Sequence, residues 1–123
     1  MRAEEGRTVL VVDDDPGILD VLEQALEAEG YRVLMASNGA EALHHAASSV
    51  PDIALVDLMM PIMDGATFVR KLRCSPASSA IPIIILSAAR DLERTVADLG
   101  VQAVISKPFD LDQLLDLVAV HAS

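Results

Sequence analysis

A run of uncharged residues in the middle of the chain, Ile53-Ala54-Leu55-Val56, leads directly into a single carboxylate, Asp57. A strand without charged residues is typical of a parallel sheet, whose strands are buried on both faces. A loop that contains Pro61 and Asp64-Gly65 follows at once. The sequence therefore predicts a central strand that ends in an aspartate at the edge of a parallel sheet. An aspartate that merely begins a turn is the alternative interpretation.

Four further apolar segments alternate with segments of helical periodicity. We predict strands over 8–12, 32–36, 81–86 and 103–106, and helices from Pro16 to Gly30, over 40–48, from Gly65, over 90–99 and from Asp110. Asp15 and Asp110 are suitable N-caps, and Arg32 places the second strand nearer the sheet edge. Such alternation implies right-handed crossovers and helices on both faces of the sheet. The predicted fold is α/β, a (βα)5 flavodoxin-like three-layer sandwich with a five-stranded parallel sheet in the order 2-1-3-4-5.

The chain of 123 residues has the size of one domain, which we place at 8–121 behind a flexible tail over 1–7. The net charge of −10 argues against direct binding of nucleic acid, which requires a basic patch. A single cysteine, Cys74, indicates a reducing compartment. Neither a signal peptide nor an apolar run of transmembrane length is present in these residues, so we expect a cytoplasmic location and no membrane contact.

Carboxylates follow the first and third strands, which are neighbours in the predicted sheet. The order of the strands reverses between them, and this switch point is where such sheets bind ligands. Asp13, Asp14 and Asp57 should therefore enter one crevice. Two like charges about 5 Å apart repel by about 3 kcal/mol at an effective dielectric near 20, so the cluster must take up protons or a cation. Oxygen ligands favour Mg²⁺ or Mn²⁺, and the three histidines and one cysteine form no zinc-binding pattern.

The other two strands add groups that suit phosphoryl transfer. Ser87 follows the strand 81–86 with a hydroxyl that can bond a phosphoryl oxygen, and Lys107 follows the strand 103–106 with a cation. Positioning, a metal ion and positive charge are what phosphoryl transfer requires. Asp57 is the best candidate for the nucleophile because it is solitary and central, which leaves Asp13 and Asp14 to the metal.

Over essentially its whole length the chain resembles the receiver domain of bacterial two-component response regulators. The resemblance is carried by four motifs in order and at matched spacing: Val11-Val12-Asp13-Asp14-Asp15-Pro16, Asp57-Leu58-Met59-Met60-Pro61-Ile62-Met63-Asp64-Gly65, Leu86-Ser87-Ala88 and Lys107-Pro108-Phe109.

The resemblance implies a phosphorelay signalling domain that is not an enzyme beyond its own phosphorylation and dephosphorylation. Asp57 would accept a phosphoryl group from a phosphohistidine of a histidine kinase or phosphotransfer protein. Asp13 or Asp14, Asp57 and the backbone carbonyl of Met59 would bind Mg²⁺. Ser87 and Lys107 would contact the phosphoryl oxygens. The implied output is a change of surface that a downstream protein or effector domain reads.

The resemblance also carries four finer expectations. We expect a cis peptide between Lys107 and Pro108, since X–Pro bonds adopt cis at modest cost. Val104 stands where the family usually has an aromatic ring, which puts the usual switch in doubt. Apolar Met59 and Ala89 beside the site predict a long-lived acyl phosphate. We expect a monomer, with phosphorylation-dependent dimerisation through the fourth helix, fifth strand and last helix as the alternative.

Two other interpretations compete with a phosphoacceptor. A phosphatase of the haloacid-dehalogenase type would use Asp13-Asp14-Asp15 as its Asp-x-Asp motif, but it needs an acidic pair on a strand after the lysine and leaves Asp57 without a role. An interaction module with a vestigial pocket would not need the complete set of site residues that this chain retains.

Overall fold

Within the described residues, strands and helices follow one another in the predicted order. The computed structural model describes residues 6–60, 62–87 and 100–122. Its strands are β1 (Thr8–Val12), β2 (Arg32–Ala36), β3 (Ile53–Asp57), β4 (Ile83–Ser87) and β5 (Ala103–Ser106). The helices in this part of the chain are α1 (Pro16–Ala28), α2 (Gly39–Ser48), α3 (Gly65–Cys74) and α4 (Leu111–His121). The predicted helix over 90–99 and residues 1–5 of the predicted tail lie outside the described residues.

The five strands form one parallel sheet in the order β2-β1-β3-β4-β5. This confirms the predicted order and the edge position of β2, which begins at Arg32. From β1 the chain continues to β2 on one side and then to β3 on the other side of β1. The order in which strands are added therefore reverses between β1 and β3, and the carboxyl ends of these two neighbours form the switch point.

Alternate residues of the central strand enter two separate hydrophobic clusters. Ile53 and Leu55 pack in the cluster that holds the buried leucines of α1 and α4. Ala54 and Val56 pack in the other cluster, with α2 and α3 and the fully buried Phe68. Since successive side chains of a strand point to opposite faces, β3 has no face toward water, which is the physical reason for its lack of charge.

Short polar side chains begin the helices that surround the site. Asp15 accepts a hydrogen bond from the N–H of Gly17, and Asp110 accepts one from the N–H of Asp112, as N-caps do. Both caps are as predicted. Strand β4 begins at Ile83 instead of residue 81, because Pro82 has no N–H to donate to a neighbouring strand. None of the helices in the described ranges is long and apolar enough to cross a membrane.

Candidate functional site

Asp57 is the last residue of β3, which lies between β1 and β4. Only 4% of the residue is exposed. The backbone N–H of Met59 donates to its Oδ1 over 3.2 Å. Because parallel strands end at a common edge, this carboxylate lies where open α/β sheets bind ligands.

Gly65 holds the loop that follows Asp57 against the strand. Its N–H donates to the carbonyl of Leu58 over 3.0 Å, which brings the two ends of the connection between β3 and α3 together. A Cβ at Gly65 would overlap the carbonyl oxygen of Asp57 and lie 2.9 Å from the Cα of Leu58. Any side chain here would have to displace the backbone that carries the carboxylate, so glycine is required by close approach.

Three carboxylates meet at the switch point. Single oxygens of Asp13, Asp14 and Asp57 all lie within 4.8 Å of one another. Asp13 is fully buried and accepts a hydrogen bond from the N–H of Asp15 over 2.9 Å, whereas Asp14 is exposed. Asp15 itself caps α1. The structure therefore brings together the acidic residues that were predicted to share a crevice.

Lys107 directly follows β5, the edge strand of the sheet, and its side chain extends into this cluster. Its Nζ lies 2.7 Å from Oδ2 of Asp13 and 3.5 Å from Oδ2 of Asp57. Its backbone N–H donates to the carbonyl of Ser87 over 3.0 Å. The peptide bond to Pro108 is cis, as expected. One ammonium group thus contacts two of the three carboxylates.

Ser87 ends β4 and is fully buried. Leu86 is the register partner of Asp57, so Ser87 lies one position further toward the carboxyl edge. Met59 is 69% exposed, and its backbone N–H donates to the carboxylate of Asp57. Ala89, which the resemblance places beside the site, lies outside the described residues.

Burial raises the pKa of the Asp57 carboxyl above its ordinary value of 3.8, and the charge of Asp13 raises it further. The N–H of Met59 and the ammonium of Lys107 oppose this rise without cancelling it. For Lys107 burial lowers the pKa, but its hydrogen bond to Asp13 and the two carboxylate charges outweigh burial, so its pKa is raised. The pocket therefore carries more negative charge than its one ammonium group can balance.

The donor set fits a hard divalent cation. Three carboxylates with oxygens within 4.8 Å offer oxygen ligands only, and one member is exposed to solvent that can complete a coordination shell. Neither sulfur nor imidazole belongs to this cluster. Mg²⁺ and Mn²⁺ prefer such ligands.

Two features of the site go beyond the predictions from the sequence. The ion pair of Lys107 with Asp13 has no signal in the sequence, from which Lys107 is expected only to contact phosphoryl oxygens. Gly65 is predicted only to begin a helix, whereas it also approaches the backbone of Asp57 closely. The Asp64-Gly65 pair, in the loop that follows the strand, is the available signal for a tight turn.

Comparison with known proteins gives consistent results. The family described as "Response regulator receiver domain" matches residues 9–119. "Response regulator MprA" of Mycobacterium ulcerans is 39% identical over 109 residues, which are 87% of this chain and 46% of that protein. The chain thus spans about half the length of the curated relatives it matches.

Solved structures agree in fold. A putative response regulator from Chloroflexus aurantiacus superposes with a TM-score of 0.88 at 30% identity and covers 94% of this chain and 97% of its own. The receiver domain of a sensor histidine kinase from Pseudomonas aeruginosa, with a magnesium ion coordinated in its active site cleft, has a TM-score of 0.87 at 29% identity, with coverages of 95% and 98%. Sequence, fold and site together show that this chain belongs to the response regulator receiver domains of two-component systems.

Proposed function

We propose that the chain is a phosphoacceptor: Asp57 takes a phosphoryl group from a phosphohistidine of a histidine kinase or phosphotransfer protein. The observation that carries the proposal is the position of the buried Asp57 carboxylate beside two further carboxylates and the ammonium of Lys107. A nucleophile, a cation site and a fixed positive charge are the parts that phosphoryl transfer needs.

In the proposed reaction an oxygen of Asp57 forms a bond to phosphorus while the N–P bond of the donor breaks and leaves its electron pair on the imidazole. Lys107 stabilises charge on the phosphoryl oxygens, and the Ser87 hydroxyl donates a hydrogen bond to one of them. Asp13, Asp14, Asp57 and the carbonyl of Met59 would hold Mg²⁺. When bound, Mg²⁺ supplies positive charge that offsets repulsion between the carboxylates and the incoming phosphoryl group.

The surroundings of the site bear on the lifetime of the product. Met59 lies next to the carboxylate, and its side chain has no polar group that could orient an attacking water. We therefore propose a comparatively long-lived acyl phosphate. Hydrolysis as fast as in receiver domains with polar residues at this position would contradict this part of the proposal.

The proposed output is a phosphorylation-dependent change of surface, read by a downstream protein or effector domain in the cytoplasm. Val104, 37% exposed on β5, has one stiff β-branched side chain and cannot swing as an aromatic ring does. We therefore expect chemical-shift changes on addition of beryllofluoride and Mg²⁺ to concentrate at residues 57–65 and 87–99. Equal or larger chemical-shift changes at 103–118 would contradict this expectation. Dimerisation through the face of the fourth helix, fifth strand and last helix would appear as an increase of molecular mass in solution.

The decisive experiment is incubation with acetyl phosphate and Mg²⁺, followed by intact mass and mapping of the modified residue. We expect a gain of one phosphoryl group at Asp57, and no gain in Asp57→Asn. The matched control is Asp116→Asn, which changes an exposed carboxylate of α4 and should leave labelling intact. A phosphoryl group of unchanged amount on another residue of Asp57→Asn would refute the assignment.

The same experiment separates the competing interpretations. A vestigial pocket predicts no labelling at all. A phosphatase of the haloacid-dehalogenase type predicts continued turnover of a small phosphoester. That type needs an acidic pair on a strand after Lys107, whereas here Asp110 caps α4, and Asp112 and Asp116 lie within it.

A further inference from the structure

Ile62 has a backbone conformation that its side chain disfavours. Its φ is +69°, and it is the one residue other than glycine with positive φ in the described ranges 6–60, 62–87 and 100–122. The left-handed region brings Cβ close to the following carbonyl oxygen, and for a β-branched residue it is an outlier. Glycine adopts it freely, and asparagine does so several-fold more often than other residues.

Backbone hydrogen bonds anchor the chain on both sides of Ile62. The N–H of Gly65 bonds the carbonyl of Leu58, and the N–H of Gly39 bonds the carbonyl of Met63 over 3.1 Å. Met60 and Met63 pack against the hydrophobic cluster beneath α2 and α3. Ile62 lies between these anchors, with Leu58 before it and Met63 after it.

Packing within the chain does not compensate for the strain. Ile62 is 84% exposed, more than any other large hydrophobic residue in the described part of the chain. Met59, on the same loop, is 69% exposed. A side chain this exposed gains little from packing within the chain, and strained residues concentrate at functional sites.

The position of the loop indicates what contacts it. The connection between β3 and α3 leaves directly from Asp57, and the N–H of Met59 bonds that carboxylate. A protein donor that brings phosphorus to Asp57 comes close to the residues that directly follow it, of which Ile62 is the fifth. A second copy of the chain is disfavoured as the occupant, because it would bring the two acidic clusters together in a protein of net charge −10.

We propose that Ile62 is a specificity-determining contact for the protein phosphodonor, in which an apolar side chain beside the donor histidine packs on Ile62. The proposal rests on the function proposed above. Small donors such as acetyl phosphate reach Asp57 without this contact, so the two kinds of donor should respond differently to substitutions at Ile62.

The test compares Ile62→Asn, which relieves the backbone and removes the apolar group, with Ile62→Met, which keeps an apolar side chain. Val50→Asn is the matched control, because Val50 is an exposed valine that precedes β3, at the opposite edge of the sheet. The protein donors are the autophosphorylated cytoplasmic cores of the source organism's histidine kinases, and the core with the highest kcat/KM on the parent chain is used. Circular dichroism and urea unfolding establish that each variant is folded.

We expect Ile62→Asn to lower kcat/KM with the kinase core about tenfold while labelling by acetyl phosphate stays within about twofold of the parent. Ile62→Met and Val50→Asn should keep both rates. Equal transfer from the kinase core to parent and Ile62→Asn would overturn the inference. So would an equal loss with both donors, since Ile62 would then shape the pocket. Loss of a dimer on gel filtration of Ile62→Asn would show that a second copy is the occupant.

Failure of the proposed function has a different signature. In that case neither acetyl phosphate nor any kinase core labels the parent chain at Asp57. Labelling of the parent by both donors, with no difference at Ile62→Asn, leaves the proposed function intact and removes only the inference about Ile62.

Discussion

The ammonium group of Lys107 lies 2.7 Å from a carboxylate oxygen of Asp13, although these residues leave strands that are not neighbours. Strands β3 and β4 lie between β1 and β5, which separates the two strand ends by three strand spacings, about 14 Å. The lysine side chain, the 2.7 Å contact and the Asp13 side chain together bridge this gap, and the ammonium also lies 3.5 Å from Oδ2 of Asp57. Its charge therefore belongs to the acidic cluster before any donor arrives.

Removal of that charge should destabilise the fold. In Lys107→Met the fully buried Asp13 loses its ion-pair partner, and loss of one partner of a buried pair typically costs 3–5 kcal/mol. Because Lys107 retains 18% side-chain exposure, water moderates the loss, and we expect about 2 kcal/mol from urea unfolding. Mg²⁺ should restore part of it. Lys71→Met, at an exposed position on α3, is the control and should change little.

Stability should depend on pH through Asp57. Its folded-state pKa is raised from 3.8, so the folded chain binds more protons than the unfolded chain between 3.8 and the raised value, and stability falls as pH rises through that window. Asp57→Asn, which cannot ionise, should therefore be more stable than the parent at neutral pH. Urea unfolding at a series of pH values should show this advantage shrink as pH falls toward 3.8. If the stability of Asp57→Asn relative to the parent instead rose as pH falls, the ionised Asp57 carboxylate would be shown to stabilise the fold.

Binding of Mg²⁺ should need the acidic pair. Asp13→Asn with Asp14→Asn removes two of the three clustered carboxylates, and we expect the dissociation constant to rise more than about tenfold by titration calorimetry. Asp15→Asn is a close control, since it removes an adjacent charge while asparagine remains a good N-cap. Binding by the double variant as tight as in the parent would refute the metal site.

Gly65→Ala should be among the most damaging small substitutions. The added Cβ overlaps the backbone of Asp57 and Leu58, which must shift. We expect a loss of about 2 kcal/mol or more in the free energy of unfolding and slower labelling of Asp57 by acetyl phosphate. Gly17→Ala, within α1, is the contrast: its Cβ would meet only the side-chain oxygen of Asp15 at 3.2 Å, and helix propensity favours alanine. Similar losses for both variants would contradict this account.

Relief of the strain at Ile62 should stabilise the chain. Ile62→Asn keeps a side chain of moderate size but tolerates positive φ, so we expect the free energy of unfolding to rise by about 1 kcal/mol. Urea unfolding measures the change. The matched substitution Val50→Asn should give no such gain, and a loss at Ile62→Asn would show that the isoleucine makes stabilising contacts within the chain.

Local features of the sequence were sufficient for the elements of the described residues and for bringing the candidate acidic residues together. Asp15 and Asp110 could be recognised as N-caps because capping depends on residues two or three positions apart. The apolar runs identified the strands, and the alternation with helices restricted the sheet to a doubly wound order. Asp13 and Asp57 were expected to meet because the order of the sheet makes their strands neighbours.

Only the tertiary structure decided how the charges are arranged. The Lys107–Asp13 contact joins residues 94 positions apart and depends on the path of one side chain across two strand ends, which no local pattern encodes. The raised pKa of Asp57 depends on burial by the surrounding elements and on the charge of Asp13. The left-handed backbone of Ile62 lies between anchors on Leu58 and Met63, and the sequence alone favours the opposite conformation. Pairwise contacts between distant residues determine each of these, because electrostatics and close packing act through space, not along the chain.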